Sequence, residues 1–172
     1  MQILYFSDML MILSYMLVWP LLQVSASWLC LLIPLDKLDH TRGLFKPQSW
    51  EGRAFYRKFL KVDLWKKYLP DGAGLTKVGF EKKHLMGVGP AHLTRFLAES
   101  CRAELGHWMA ILPFWVFGLW SPSIVLPYML LYALAVNLPC IITQRYNRPR
   151  IAQLQRRVQI TSTIPFVSLP PH

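Results

Sequence analysis

Glu104 and His107 stand three residues apart in Ala103-Glu104-Leu105-Gly106-His107-Trp108. On a helix that spacing puts a carboxylate and an imidazole on one face. A carboxylate beside the ring can hold its tautomer and raise its basicity, so that the histidine takes a proton from a hydroxyl nucleophile. The same spacing also suits an interfacial ion pair that only anchors a helix. Glu99 with Arg102, and His92 with Arg95, repeat it just upstream. A second polar string, Gln144-Arg145-Tyr146-Asn147-Arg148-Pro149-Arg150, follows further along. Guanidinium forks meet phosphates and oxyanions with paired hydrogen bonds that an ammonium does not offer. Arg145, Arg148, Arg102 and Asn147 are therefore candidates for holding donor phosphates or a developing oxyanion. The competing reading is a basic cluster that pins a helix end to anionic lipid. His84, in Lys82-Lys83-His84-Leu85-Met86, is a weaker candidate, because such a histidine is more often simply solvated. No metal site is expected: there is no H-E-x-x-H string and no Cys/His cluster.

The elements that must position these groups are apolar. Of 172 residues, 53% are hydrophobic and 16% charged, and mean hydropathy is +0.29. A soluble domain carries roughly 25% charged residues. Disorder, collagen and a secreted disulfide scaffold are excluded. The three cysteines, Cys30, Cys101 and Cys140, form no C-x-x-C pair and read as small buried hydrophobes.

Three segments are candidates for crossing a bilayer, at about 9–35, 105–120 and 124–143. The first is apolar for more than the ~20 residues a span needs. A cleaved signal peptide is the competing reading, but no Lys or Arg precedes the run and it continues past the candidate cut at Val24-Ser25-Ala26. The second and third form a helical hairpin turned at Ser121-Pro122-Ser123. His107 to Trp120 rises only ~21 Å as a helix, too short to span. A full crossing must therefore begin earlier and draw Glu104 towards the bilayer.

Basic residues set the orientation. Between Leu35 and Leu105 there are fourteen Lys and Arg against eight Asp and Glu, and five arginines without an acid follow Thr143. A hairpin returns both regions to one side, which the positive-inside rule makes cytoplasmic. The expected topology has the N-terminus outside and the C-terminus inside a cell membrane. The fold class is thus an all-α integral membrane protein with about three transmembrane helices and a cytoplasmic loop, 36–104. In that loop Trp50, Phe55, Tyr56, Phe59 and Trp65 are interleaved with Arg53, Arg57, Lys58, Lys61 and Lys66. An amphipathic interfacial helix with Phe55, Phe59 and Val62 on one face is expected, resting on anionic lipid. Nucleic acid is not an expected partner. One membrane-embedded domain, 1–161, precedes a loose Pro-rich tail, 162–172. No GxxxG string marks a helix–helix face, so the sequence leaves oligomeric state open.

Lys83-His84-Leu85-Met86, the run Glu99 to Trp108 followed by Ile111-Leu112-Pro113, and Asn137 to Gln153 together carry a resemblance. They resemble the glycosyl-4,4'-diaponeurosporenoate acyltransferase family, which acts in staphyloxanthin-type carotenoid synthesis. The resemblance runs from the first helix to about Arg157, and its A-E-L-x-H-W and Q-R-Y-N-R-P-R strings are long and specific. It implies a small multi-pass membrane enzyme that moves a fatty acyl group to the sugar hydroxyl of a glycosylated C30 carotenoid. The implied donor is acyl-CoA as a substrate, with no resident cofactor. Under that activity His107 is the expected general base, Glu104 its orienting partner, and Arg145 and Arg148 the donor-phosphate or oxyanion groups. A non-enzymatic lipid-binding or pathway partner, or an acyltransferase for another glycolipid, fits the same residues.

Overall fold

The computed structural model describes residues 3–69 and 89–163, with side chains to 160. Every regular element among the described residues is helical. Helix α1 spans Asp8–Leu31. Short 3-10 turns follow at Leu35–Lys37 and Gly43–Phe45, then a π-helical turn, Phe55–Phe59. After it come a one-turn helix α2, Val62–Trp65, and a 3-10 turn, Lys66–Tyr68. Helix α3 spans Pro90–Ile111 and tightens into a 3-10 helix, Leu112–Leu119. Helix α4 runs 39 residues, Val125–Thr163.

Among the described residues two helices, Asp8–Leu31 and Val125–Ile160, are long and apolar enough to cross a membrane. Large apolar side chains such as Met16, Leu17, Trp28, Tyr128 and Leu131 are exposed along them. Water is a poor solvent for such surfaces, so the protein is membrane-associated. The expected middle crossing at 105–120 divides differently. Its helix begins at Pro90, where proline's missing N–H leaves no helical bond unmade. It becomes 3-10 at Leu112-Pro113, where the next proline again supplies no donor.

The hairpin turn sits where expected. Ser121 is almost wholly buried and shares a hydrogen bond of 2.8 Å with the Tyr15 hydroxyl. Trp120 Nε1 donates to Ser14 Oγ, so α1 satisfies the polar groups of the turn. Below it lies the main core, built on Trp19, Ile111, Phe117, Trp120, Met129, Ala133 and Ile141. Phe117 is fully buried, its ring 4.9 Å from that of Trp19. At the other end Arg102 Nη2 donates to the Ile33 carbonyl and closes α1 onto α3.

α4 continues twenty residues past the expected end at Thr143 and carries the whole Arg145–Arg157 region, including Pro139 and Pro149. Packing carries the helix past Pro139: Ile141, Tyr146 and Arg148 remain buried beyond it. The 162–172 tail begins with two residues that still belong to α4, and the rest lies outside the described residues, as does His84.

The loop departs from expectation. No continuous amphipathic helix forms at 55–68, because Lys61 adopts a left-handed backbone (φ 47°) between the π-helical turn and α2. Val62 turns inward, fully buried with Tyr56 and Tyr146 in a second small core. Phe59 points out, so Phe55, Phe59 and Val62 do not share a face. The Tyr146 hydroxyl donates to Asp63 Oδ1 at 2.9 Å, and Lys66 Nζ donates to the same carboxylate at 2.7 Å. The Lys66 hydrogen bond, followed by that from Tyr146, holds the Asp63 carboxyl down at about 2.

Candidate active site

α3 and α4 lie antiparallel and bring three polar layers together. Nearest the loop, Ser100 Oγ donates to Gln144 Oε1 at 2.9 Å. In the middle layer Glu104 is fully buried. Its Oε1 accepts from Arg145 Nε and its Oε2 from Arg148 Nη2, both at 2.7 Å. Deepest among the apolar residues, His107 Nδ1 meets Asn137 Oδ1 at 2.9 Å.

The middle layer is an ion network that consumes its own charges. Arg145 also pairs with Glu51 through Nη1 and donates to the Leu44 carbonyl through Nη2. Arg148, only 2% exposed, donates as well to Ser100 and to the Phe45 carbonyl. Two carboxylates face two guanidiniums, so the cluster is formally neutral. The cleft beside it, lined by Phe45, Glu51, Tyr56 and the two arginines, holds about 10 Å³. That is room for roughly one water molecule. Burial, with the Glu51 carboxylate next, pushes the Tyr56 phenol upwards, keeping it a neutral donor.

The layer at His107 is chemically different. Asn137 is fully buried, and its Nδ2 donates to the Ala133 carbonyl at 2.9 Å. A carbonyl can only accept, so the amide nitrogen must face Ala133 and Oδ1 must face the histidine. His107 Nδ1 is then the protonated nitrogen of the neutral ring. In that form Nε2 carries the lone pair, and it makes no hydrogen bond among the described residues. Neighbouring Gly106 faces the other way, towards Cys30 of α1.

Glu104 therefore does not orient His107, although both lie on α3. Opposite charges from α4 attract a carboxylate more strongly than a neutral imidazole one turn away. Arg102 lies apart from this cluster, paired with Glu99 at 3.1 Å. Asn147 is half-buried and makes no side-chain hydrogen bond among the described residues. Of the expected site, the fold unites Glu104, Arg145 and Arg148 in one layer and sets His107 in the next. Asn137 was not among the sequence-based candidates. Its signal was present as a lone amide inside a twenty-residue apolar run, where polar side chains default to function.

A family model described as glycosyl-4,4'-diaponeurosporenoate acyltransferase matches residues 41–157, which include all three layers. Proteins of that name from Staphylococcus aureus strains bovine RF122 / ET3-1, MRSA252 and USA300 are each 34% identical over 139 residues. These matches cover 80% of this chain and 84% of each relative. The chain belongs to this acyltransferase family. It is accordingly an enzyme, and a purely non-enzymatic membrane partner is set aside. No solved structure matches the acyltransferase. Among its described residues no group of three or more His, Cys, Asp or Glu is placed to hold a metal ion.

Proposed function

We propose that this acyltransferase esterifies the sugar hydroxyl of a glycosylated C30 carotenoid, with acyl-CoA as donor and His107 as general base. The substrate class follows from the relatives, which are named for glycosyl-4,4'-diaponeurosporenoate. The observation that carries the mechanism is the Asn137–His107 hydrogen bond, which leaves a basic Nε2 available. Nε2 takes the proton as the sugar oxygen attacks the thioester carbonyl, forming the C–O bond. As the tetrahedral intermediate collapses, the C–S bond breaks and the same proton passes to the leaving thiolate. Asn137 holds the ring and stabilises the imidazolium.

Glu104, Arg145 and Arg148 serve indirectly in this proposal, locking α3 to α4 beside the dyad. The donor's phosphates fall instead to the exposed Arg150 and Arg156 at the same end of α4. The α3 rod of ~33 Å and its 3-10 extension make the middle crossing, with the N-terminus outside and both basic regions in the cytoplasm of a multi-pass cell-membrane protein. Both substrates reach the site from the bilayer, because their long chains are lipid-soluble.

The test uses membranes containing the full chain, labelled acyl-CoA and glycosylated carotenoid, with ester detected by mass. Wild-type membranes should form the ester. His107→Ala should insert normally and lose ~10²–10⁴-fold in turnover, the usual contribution of a general base. Normal turnover by that variant would remove His107 from the chemistry. Ester formed on other glycolipids but not on the carotenoid would overturn the acceptor.

A further inference from the structure

The loop between α1 and α3 folds into a compact foot, residues 43–68, whose underside is neither core nor ordinary polar surface. Trp50, Phe55 and Phe59 form a continuous row of rings. Trp50 and Phe55 meet edge to face at 5.0 Å, and Phe55 and Phe59 stack at 5.6 Å. Trp50 is 60% exposed and Phe59 76%. Such a row in water is costly, since each ring offers a large apolar area. Leu64 and Tyr68 are also exposed. Cations stand among the rings: Arg53, Lys58 and Lys61 are exposed and make no ion pair among the described residues. Arg57 also faces solvent, beside Asp63.

The placement of the foot says what covers this row. The foot is fastened to α4 at Tyr146, through the core with Tyr56 and Val62 and the bond to Asp63. Tyr146 lies three residues, ~4.5 Å of helix, past Thr143, where the apolar run of α4 ends. The foot is thus held at the level where α4 leaves the hydrocarbon. Rings with a polar or cationic rim belong in that layer.

We infer that residues 43–68 rest on the cytoplasmic leaflet, with the Trp50–Phe55–Phe59 row inserted among headgroups and Arg53, Lys58 and Lys61 on anionic lipid phosphates. This surface is separate from the dyad and holds whichever acceptor the enzyme uses. It also fixes the rotation of α4 about its axis, because a foot docked on one side admits one face to the bilayer surface.

The experiment places photoreactive benzoylphenylalanine at position 59 of the full chain, reconstituted in bilayers of phosphatidylcholine with or without phosphatidylglycerol. Irradiation should give lipid adducts identified by mass, with phosphatidylglycerol over-represented relative to its share. Adding Arg53→Gln, Lys58→Gln and Lys61→Gln should lower the phosphatidylglycerol adducts by about tenfold or more. Adducts to phosphatidylcholine should persist in the neutral bilayer, which also shows that the triple variant folds. Water-quenched label with no lipid adduct would overturn the inference. So would adducts to a second protein chain, or adducts competed away by coenzyme A, which would assign the row to the donor nucleotide.

Discussion

Replacing Glu104 with leucine should strip two guanidiniums of their central anion. Arg145 keeps Glu51 and the Leu44 carbonyl, but Arg148, 2% exposed, is left with only neutral acceptors. Removing one partner of a buried ion pair costs about 3–5 kcal/mol, because the remaining charge is stranded away from water. At ~2–4 °C per kcal/mol for a chain of this size, the melting temperature in detergent should fall by ~6–20 °C. Tryptophan fluorescence followed on heating would read it, since Trp108 and Trp120 lie in the packed bundle. The informative partner is Glu104→Leu combined with Arg148→Met. Removing both charges and filling the space with apolar atoms should recover most of the loss. In that double variant His107 is still held by Asn137, so turnover should survive. The reasoning fails if Glu104→Leu alone costs under about 1 kcal/mol, or if the double variant is no more stable than the single one. It fails also if the stable double variant is as inactive as His107→Ala, which would make Glu104 part of the chemistry after all.

Asn137→Ala should insert and fold yet lose about 10²-fold in kcat, since a ring free to turn misplaces Nε2; single-turnover measurements separate this from substrate binding. Phe117→Ala should cost about 3–5 kcal/mol by opening a cavity at the turn end of the bundle, read as a lower melting temperature. Asp63 carries the pH prediction. Its carboxyl titrates at about 2 in the folded protein, below the ~3.9 of an unfolded chain. A depressed carboxyl contributes stability that is complete above ~4 and is lost as pH falls towards 2. Protease cleavage within 43–68 should therefore rise across that window in the wild type, and Asp63→Asn should be cut readily at neutral pH.

How far the sequence could reach is clearest at the two polar groups of α3. Apolar runs and Ser121-Pro122-Ser123 make the hairpin legible, because hydropathy and turn residues act locally. The same local reasoning pairs Glu104 with His107, since residues three apart share a helix face. What decides the outcome is register between two antiparallel helices, which no single segment encodes. That register offers Glu104 two cations and leaves the histidine an amide. Asn137 lies thirty residues from its partner and has no local signature beyond its isolation among apolar neighbours. The loop departs from its local pattern for a related reason. Alternating rings and cations suit an interfacial helix, but Val62 finds a buried place against Tyr146, eighty-four residues away, and the left-handed Lys61 breaks the helix to let it in.

Asn137 precedes Gln144 by seven residues, so the dyad lies ~10 Å of helix deeper than the polar layer at the loop end of the bundle. On the proposed mechanism, a thioester carried to that depth would meet little bulk solvent. Hydrolysis, the wasteful rival of every acyl transfer, would be starved of its nucleophile, while a hydroxyl tethered to a greasy tail would be delivered there in quantity. Choice of acceptor would then be settled by where the base is buried as much as by any contact with the sugar.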